Sequence, residues 1–403
     1  MAIPAQAKGG DRQTIVIAGA GIGGLTAALA LSRAGFRAVV VERSDHLSEA
    51  GAGIQISPNA GRVLADLGLD AAIAAAAIEP SAIEIRSAAG GKPLTSIAGA
   101  LFRGRYGFPY RVLHRADLQA ALVGAVDADP NVTLHLATTI SQHLTQGDGL
   151  LVRIAKPGGI DVVPAVAVIA ADGVWSSFRE KIARSARPSP TGRTAWRALV
   201  PADVARNLVA MDRVVLWLGP DAHLVHYPVA QSSAVNIVAT VKEEWQKPGW
   251  SAPGDRAEIN RRFKDWPARA RHLIAAPVSW QKYAIVRVPA EAVWVDGRFA
   301  LLGDAAHAMA PFLAQGACMA IEDAAVLAAN LHGATDIAGA LSDYAIARKA
   351  RVARVAAAAW QAGAAYHWSG PFALARDAAL RFAGERLILD RNDWIYRWTL
   401  SGG

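Results

Sequence analysis

Several signals that mark whole classes of protein are missing from this sequence. Cys318 is the one cysteine among 403 residues, so neither an intrachain disulfide nor a cysteine-based zinc site can form. So few thiols fit a reducing compartment. The longest apolar runs, residues 71–78 and 162–171, fall well short of the roughly 18 residues a spanning helix needs. Residues 1–12 are small and polar, without the apolar stretch of a secretory signal. Only 19% of residues are charged against 53% hydrophobic, which excludes a disordered or fibrous chain. The expectation is a soluble cytoplasmic protein of about two to three domains. The net charge, 42 − 34 = +8, favours anionic ligands in a general way. The basic residues are spread along the chain with no zinc or helix-turn-helix spacing, so nucleic acid is not an expected partner.

The strongest pattern lies near the amino terminus. Residues 14–18 form a short, largely β-branched run that reads as a buried strand. Gly19-Ala20-Gly21-Ile22-Gly23-Gly24 follows at once, then a helix over 25–34 ended by Gly35, then a second strand over 38–41 ending in Glu42. In such a unit Gly19 permits the tight turn, Gly21 lets the backbone approach a pyrophosphate, and Gly24 lets helix and strand pack closely. The helix amino terminus offers free N–H groups and a positive dipole to phosphates. Glu42 lies 18 residues past Gly24, the right range for a carboxylate on ribose hydroxyls. The unit alone leaves NAD and FAD open.

Two later corners narrow the choice. A hydrophobic strand over 162–171 ends in Asp172-Gly173, and another over 299–302 ends in Gly303-Asp304. Each sets a carboxylate at the carboxyl end of a parallel strand, where α/β proteins bind ligands. Asp304 is placed to accept hydrogen bonds from sugar or ribityl hydroxyls. A helix over 315–326, beginning at Gln315-Gly316, points its positive end at the same region.

The three corners, in this order, resemble the single-component (class A) flavin-dependent aromatic hydroxylases, FAD monooxygenases of the salicylate, 3-hydroxybenzoate and 6-hydroxynicotinate hydroxylase type. The segment Gly51-Ala52-Gly53-Ile54-Gln55, followed by Pro58-Asn59, and the segment His114-Arg115-Ala116-Asp117-Leu118 also resemble that family. The likeness spans residues 14 to about 330. It implies an α/β, Rossmann-like FAD-binding domain (residues 11–186 and 290–340) with an inserted, mainly antiparallel β-sheet substrate domain (187–289) and C-terminal helices (341–403). It implies that Arg115 contacts FAD, that Glu42 and Arg43 lie at its adenosine end, that Asp304 holds the ribityl and pyrophosphate region, and that Asp172 serves FAD binding and use of the nicotinamide donor. It also implies NADH or NADPH as a transient electron donor, which agrees with the single GxGxxG unit, and O2 activation as a flavin C4a-hydroperoxide. Gly51 and Gly53 would give the backbone room beside a mobile flavin ring, and composition alone fits an ordinary flexible loop equally well.

Between 187 and 289 the alternating runs 214–218, 224–229 and 234–241 read as antiparallel strands. In His223-Leu224-Val225-His226-Tyr227-Pro228, the four-residue spacing puts His223 and Tyr227 on one face of a strand and His226 on the other. The resemblance sets His223 and Tyr227 against the substrate. Oxygen transfer needs an electron-rich ring, and a His of near-neutral pKa can deprotonate a phenol. Gln55, Met309, Pro311 and Phe312 are the expected pocket residues. Gln55 and Phe312 stand where 6-hydroxynicotinate enzymes carry His, so a less polar pocket and a bulkier or less charged ring are expected. Arg197 suits an anionic substrate and a place in the sheet equally, and His307 reads as structural.

The tail is helical in pattern, with Arg348, Lys349, Arg351 and Arg354 followed by Trp360, Trp368, Trp394 and Trp398. Such a tail can lie on an anionic membrane, but packing against the cofactor domain with the arginines in solvent is the commoner use. A homodimer contact is a third. Three other functions fit parts of the pattern: a quinone-ring or other tailoring hydroxylase at a membrane surface, a flavoprotein sensor without oxygenase activity, and an NAD dehydrogenase. The last leaves the Asp172-Gly173 and Gly303-Asp304 corners unexplained.

Overall fold

A computed structural model describes residues 12–47, 53–182, 186–231, 233–247 and 249–401. Gly51 therefore lies outside the described residues, as does most of the segment 1–12. A six-stranded sheet carries the glycine turn at residues 19–24, in the order Val295–Asp296, Phe299–Leu301, Ala167–Ala170, Thr14–Ala18, Arg37–Val41, Val132–His135. Its pairs are parallel except the first. Ile15, Val16 and Ile17 are fully buried, as expected of a parallel strand covered on both faces. The helices Ile22–Arg33 and Gly316–Leu331 pack on this sheet in one continuous core.

The run read as one strand over 162–171 is two. Residues Gly159–Ala165 belong to a separate three-stranded antiparallel sheet, and Ala167–Ala170 enter the parallel sheet. Pro164 sits within the first of these.

The second large sheet has eight strands, in the order Ser251–Gly254, Trp280–Arg287, Ser189–Pro201, Ala234–Lys242, Ala222–Val229, Arg213–Gly219, Ala82–Ser87, Pro93–Ala98. It is antiparallel except where Arg213–Gly219 meets Ala82–Ser87. The sheet thus reaches beyond the segment 187–289 and takes two strands from 82–98. One face buries Trp196, Trp217 and Trp280 beneath the helices Arg256–Arg262 and Ala268–Ala275. The other, with His223, Tyr227 and Arg197, turns toward the six-stranded sheet and its glycine turn.

Two long helices, Ile337–Tyr366 and Gly370–Tyr396, close the chain, the second interrupted at Gly384 (φ +63°). Not all of the tail's arginines stand in solvent. Arg348 is 1% exposed and binds Glu322 (2.8 Å) and Asp323 (2.7 Å). Arg351 reaches both oxygens of Glu322 and donates to the carbonyls of Trp394 and Ile395. Two of the four basic residues are therefore spent on buried acids and do not form a membrane-facing patch. No helix among the described residues is long and apolar enough to cross a membrane.

Candidate active site

The glycine turn is built by close approach. Gly19 has φ +104°, and a Cβ there would sit 2.4 Å from the Ala171 carbonyl oxygen; one at Gly24 would sit 2.0 Å from the Gly19 oxygen. A Cβ at Gly21 would meet nothing within 4 Å, so the space above the helix start is open to a ligand. Gly21 is the N-cap of Ile22–Arg33, whose first N–H groups have no partner within the helix. Glu42 closes the turn from the next strand, accepting from Ala20 N at 2.9 Å and Ser44 N at 3.0 Å. Gln119 donates to the Ala20 carbonyl at 3.0 Å. No local motif singles out Gln119, which reaches the turn from 99 residues away. Arg43 points to solvent.

One cavity of about 360 Å³ runs from this turn to the substrate sheet, and Gly21, Gly173 and Gly303 all line it. The three corners therefore meet. Gly53, Arg115, Asp304 and Gly316 line it as well, together with Gln55, Met309 and Pro311. At its far end are His223, Tyr227 and Arg197. Gly19, Gly24 and Glu42 shape the turn behind the wall. Asp172 caps the following turn, its Oδ2 accepting from Ser177 N at 3.0 Å. The open cradle at Gly21 and the converging corners fit a long dinucleotide such as FAD. FAD would be held by the helix starts at Gly21 and Gly316 and by Asp304.

Phe312 is not among the lining residues. Its ring is buried behind His223, edge-on at 5.4 Å, in space left by Gly363, where a Cβ would sit 2.1 Å from the ring. Gln55 does not face the cavity unpaired: Tyr110 donates to its Oε1 at 2.7 Å. The strand Gly53–Ile56 meets the substrate sheet directly, since Gly53 N donates to Asn236 Oδ1 at 2.9 Å.

Strand alternation separates the two histidines as expected. His223 and Tyr227 face the cavity, whereas His226 lines a smaller one, of about 190 Å³, on the other side of the sheet. The near-neutral pKa expected of His223 is not what its surroundings give. Burial, then His367 and Arg193, push it well below the usual value. Burial raises the Tyr227 phenol, so its hydroxyl stays protonated. His367, unnoticed in the sequence, lies 2.8 Å from His223. His307 is structural: its Nε2 is 2.5 Å from Asp323 Oδ2, behind the Gly303 corner, and Gly303 N donates to the same oxygen.

The chain belongs to the FAD binding domain family, whose model matches residues 12–359. It is 38% identical over 391 residues, 96% of each chain, to the 3-amino-4-hydroxybenzoate 2-monooxygenase PtmB3 of Streptomyces platensis. It is 32% identical over 389 residues, again 96% of each chain, to the 3-hydroxybenzoate 6-hydroxylase of Polaromonas naphthalenivorans strain CJ2. The structure of Klebsiella pneumoniae HpxO complexed with FAD and uric acid is similar with a TM-score of 0.84 at 26% identity, covering 96% of this chain and 98% of that one. A salicylate hydroxylase substrate complex matches with a TM-score of 0.81 at 25% identity, covering 97% and 96%. The protein is an FAD-dependent aromatic monooxygenase of the salicylate and 3-hydroxybenzoate hydroxylase type.

Proposed function

We propose that this enzyme uses NADH or NADPH and O2 to hydroxylate a phenolic or N-heteroaromatic ring in the cytoplasm. The observation that carries the reading is the shared cavity, with the glycine corners at one end and His223 and Tyr227 at the other. The chemistry FAD supplies when bound is acceptance of a hydride from the nicotinamide and activation of O2. The chain's own part is binding, orientation and proton control. Gly19, Gly21 and Gly24 shape the pyrophosphate site, Glu42 and Arg43 flank the adenosine end, and Asp304 accepts from ribityl hydroxyls. Arg115, Asp172, Gly53, Gly303 and Gly316 complete the cofactor's surroundings. Gln55, Met309 and Pro311 border the ring.

His223 acts as the base for the substrate hydroxyl. Burial leaves its imidazole with a free lone pair but makes it a weaker base than a solvent-exposed histidine, so accepting the phenol proton and raising the ring's electron density requires the imidazolium to be offset by the phenolate formed beside it. Tyr227, held protonated, donates to a substrate oxygen. Arg197, lying over the Tyr283 ring at 5.2 Å, supplies positive charge for a substrate carboxylate. The substrates in the names of the two sequence relatives, both hydroxybenzoates, are consistent with this.

The test is a panel of hydroxybenzoates, phenols and N-heterocycles scored for stimulated NAD(P)H and O2 consumption, with product mass checked for one added oxygen. Bound FAD without stimulation by any aromatic would instead leave a non-oxygenase flavoprotein. For His223→Ala, rapid mixing should show hydroxylation slowed far more than flavin reduction.

A further inference from the structure

His223 is enclosed on every side but the cavity. Phe312 and Tyr366 meet its ring edge-on at 5.4 and 5.6 Å, and the ring of His367 lies nearly parallel to it with centroids 5.0 Å apart. Its Nδ1 and the Nε2 of His367 are 2.8 Å apart. Both residues are buried, at 4% and 7% exposure. A hydrogen bond between two neutral imidazoles needs one nitrogen to carry a proton and the other a lone pair. The state of Nδ1 therefore fixes the state of Nε2 on the same ring.

His367 is itself held from three directions. It follows the helix Ile337–Tyr366 as its C-cap. Arg376 donates to the carbonyls of Ala365 and Tyr366 at 3.0 and 2.9 Å and is paired with Asp377. Asp377 accepts from Ser87 Oγ at 2.7 Å. The His367 carbonyl accepts from Asp221 N, in the turn just before His223, at 3.4 Å. The charged groups facing the pair are Arg193, from the strand Ser189–Pro201, and Arg376. Both are cations, and they keep the two imidazoles neutral in the resting site, so that an imidazolium at His223 is offset only by the phenolate formed with it.

We infer that His367 is a positioning residue that fixes the tautomer of His223, accepting from its Nδ1–H so that a bare Nε2 is presented to the substrate hydroxyl, at the cost of leaving its own buried Nδ1–H without a partner among the described residues. The inference rests on the reading of His223 as the base. In the step itself the hydroxyl O–H bond breaks, its proton goes to His223 Nε2, and the electron pair stays on the ring oxygen. The Nδ1 proton remains on His223, and His367 stays neutral throughout. Lone-pair acceptance at position 367 is the property required, so an amide oxygen can replace it and an alkyl group cannot.

The experiment is a double-mutant cycle with an independent readout of the proton. His367→Leu should lower the hydroxylation rate at least tenfold, with FAD affinity and substrate KM changed less than threefold. His367→Gln should recover most of that rate. In a His223→Ala background, His367→Leu should cost less than a further twofold. Nitrogen-15 spectra of the native protein, labelled in histidine, should show His223 protonated at Nδ1, a result that does not depend on any variant folding. Additive losses, or a proton on Nε2, would overturn the role of His367 and leave His223 as the base. An unchanged hydroxylation rate in His223→Ala alone would overturn the base itself.

Discussion

Gly53 faces Tyr227 so closely that a Cβ at position 53 would lie 2.6 Å from Tyr227 Cε2 and 2.8 Å from its hydroxyl oxygen. The flavin-side strand and the substrate strand therefore meet through a glycine, with Asn236 accepting from its amide alongside. Gly53→Ala has no free space to occupy, and overpacking of this kind costs about 1–3 kcal/mol. The Tyr227 ring must move, so KM for the aromatic substrate should rise about tenfold while FAD stays bound. Steady-state kinetics and flavin absorbance check both halves.

Glu42 holds the glycine turn through the Ala20 amide and is itself oriented by the Ser44 amide. Hydrogen bonds to a charged acceptor are worth about 1.5–3 kcal/mol, so Glu42→Ala should weaken FAD binding roughly ten- to hundredfold. Asp304→Ala should also weaken it, from the opposite end of the cofactor. Fluorescence titration of the apoprotein with FAD reads both, and unchanged affinity would remove the residue in question from the site.

Acid should destabilise the fold through its buried imidazoles. Burial, then Arg86 and Arg269, push His226 down to about 3, and burial with Arg193 and Arg376 does the same to His367. In the unfolded chain each returns to about 6.5. The unfolded state then binds more protons, so stability is complete above pH 6.5 and is lost as pH falls from there toward 3. At pH 5.5 each such histidine costs about 1.4 kcal/mol. The drop in unfolding free energy between pH 7.5 and 5.5 should be smaller by about that amount in His226→Leu, which denaturant titrations at the two pH values would measure.

Glu322 is fully buried and is neutralised by Arg348 and Arg351, with Asn59 donating to it at 2.7 Å. Removing one partner of a buried pair leaves charge uncompensated and costs about 3–5 kcal/mol. Arg351→Met should lose stability of that order, measured by chemical denaturation. It should also lower FAD retention, because the adjacent Asp323 anchors Gly303.

Local pattern carried much of the cofactor side. The strand, glycine turn, helix and Glu42 lie within about 30 residues and use chemistry that few other arrangements need. The alternation that separates His223 from His226 was equally readable, since a strand sends neighbours to opposite faces. What escaped was long-range pairing. His367 meets His223 across 144 residues, and Arg351 meets Glu322 across 29 from another helix. Neither spacing has a periodicity that sequence alone reveals. Phe312 stands where 6-hydroxynicotinate enzymes carry a pocket His, but the room that Gly363 leaves draws its ring behind His223. The strands at 82–98 join the distant sheet only because Arg213–Gly219 offers a parallel edge.

The location of His367 also orders events in time. The glycine turn and both sheets are encoded before residue 302, whereas the imidazole behind His223 and the guanidinium that braces it arrive at positions 367 and 376. A nascent chain on the ribosome can therefore assemble its nucleotide cradle well before its reacting end is finished.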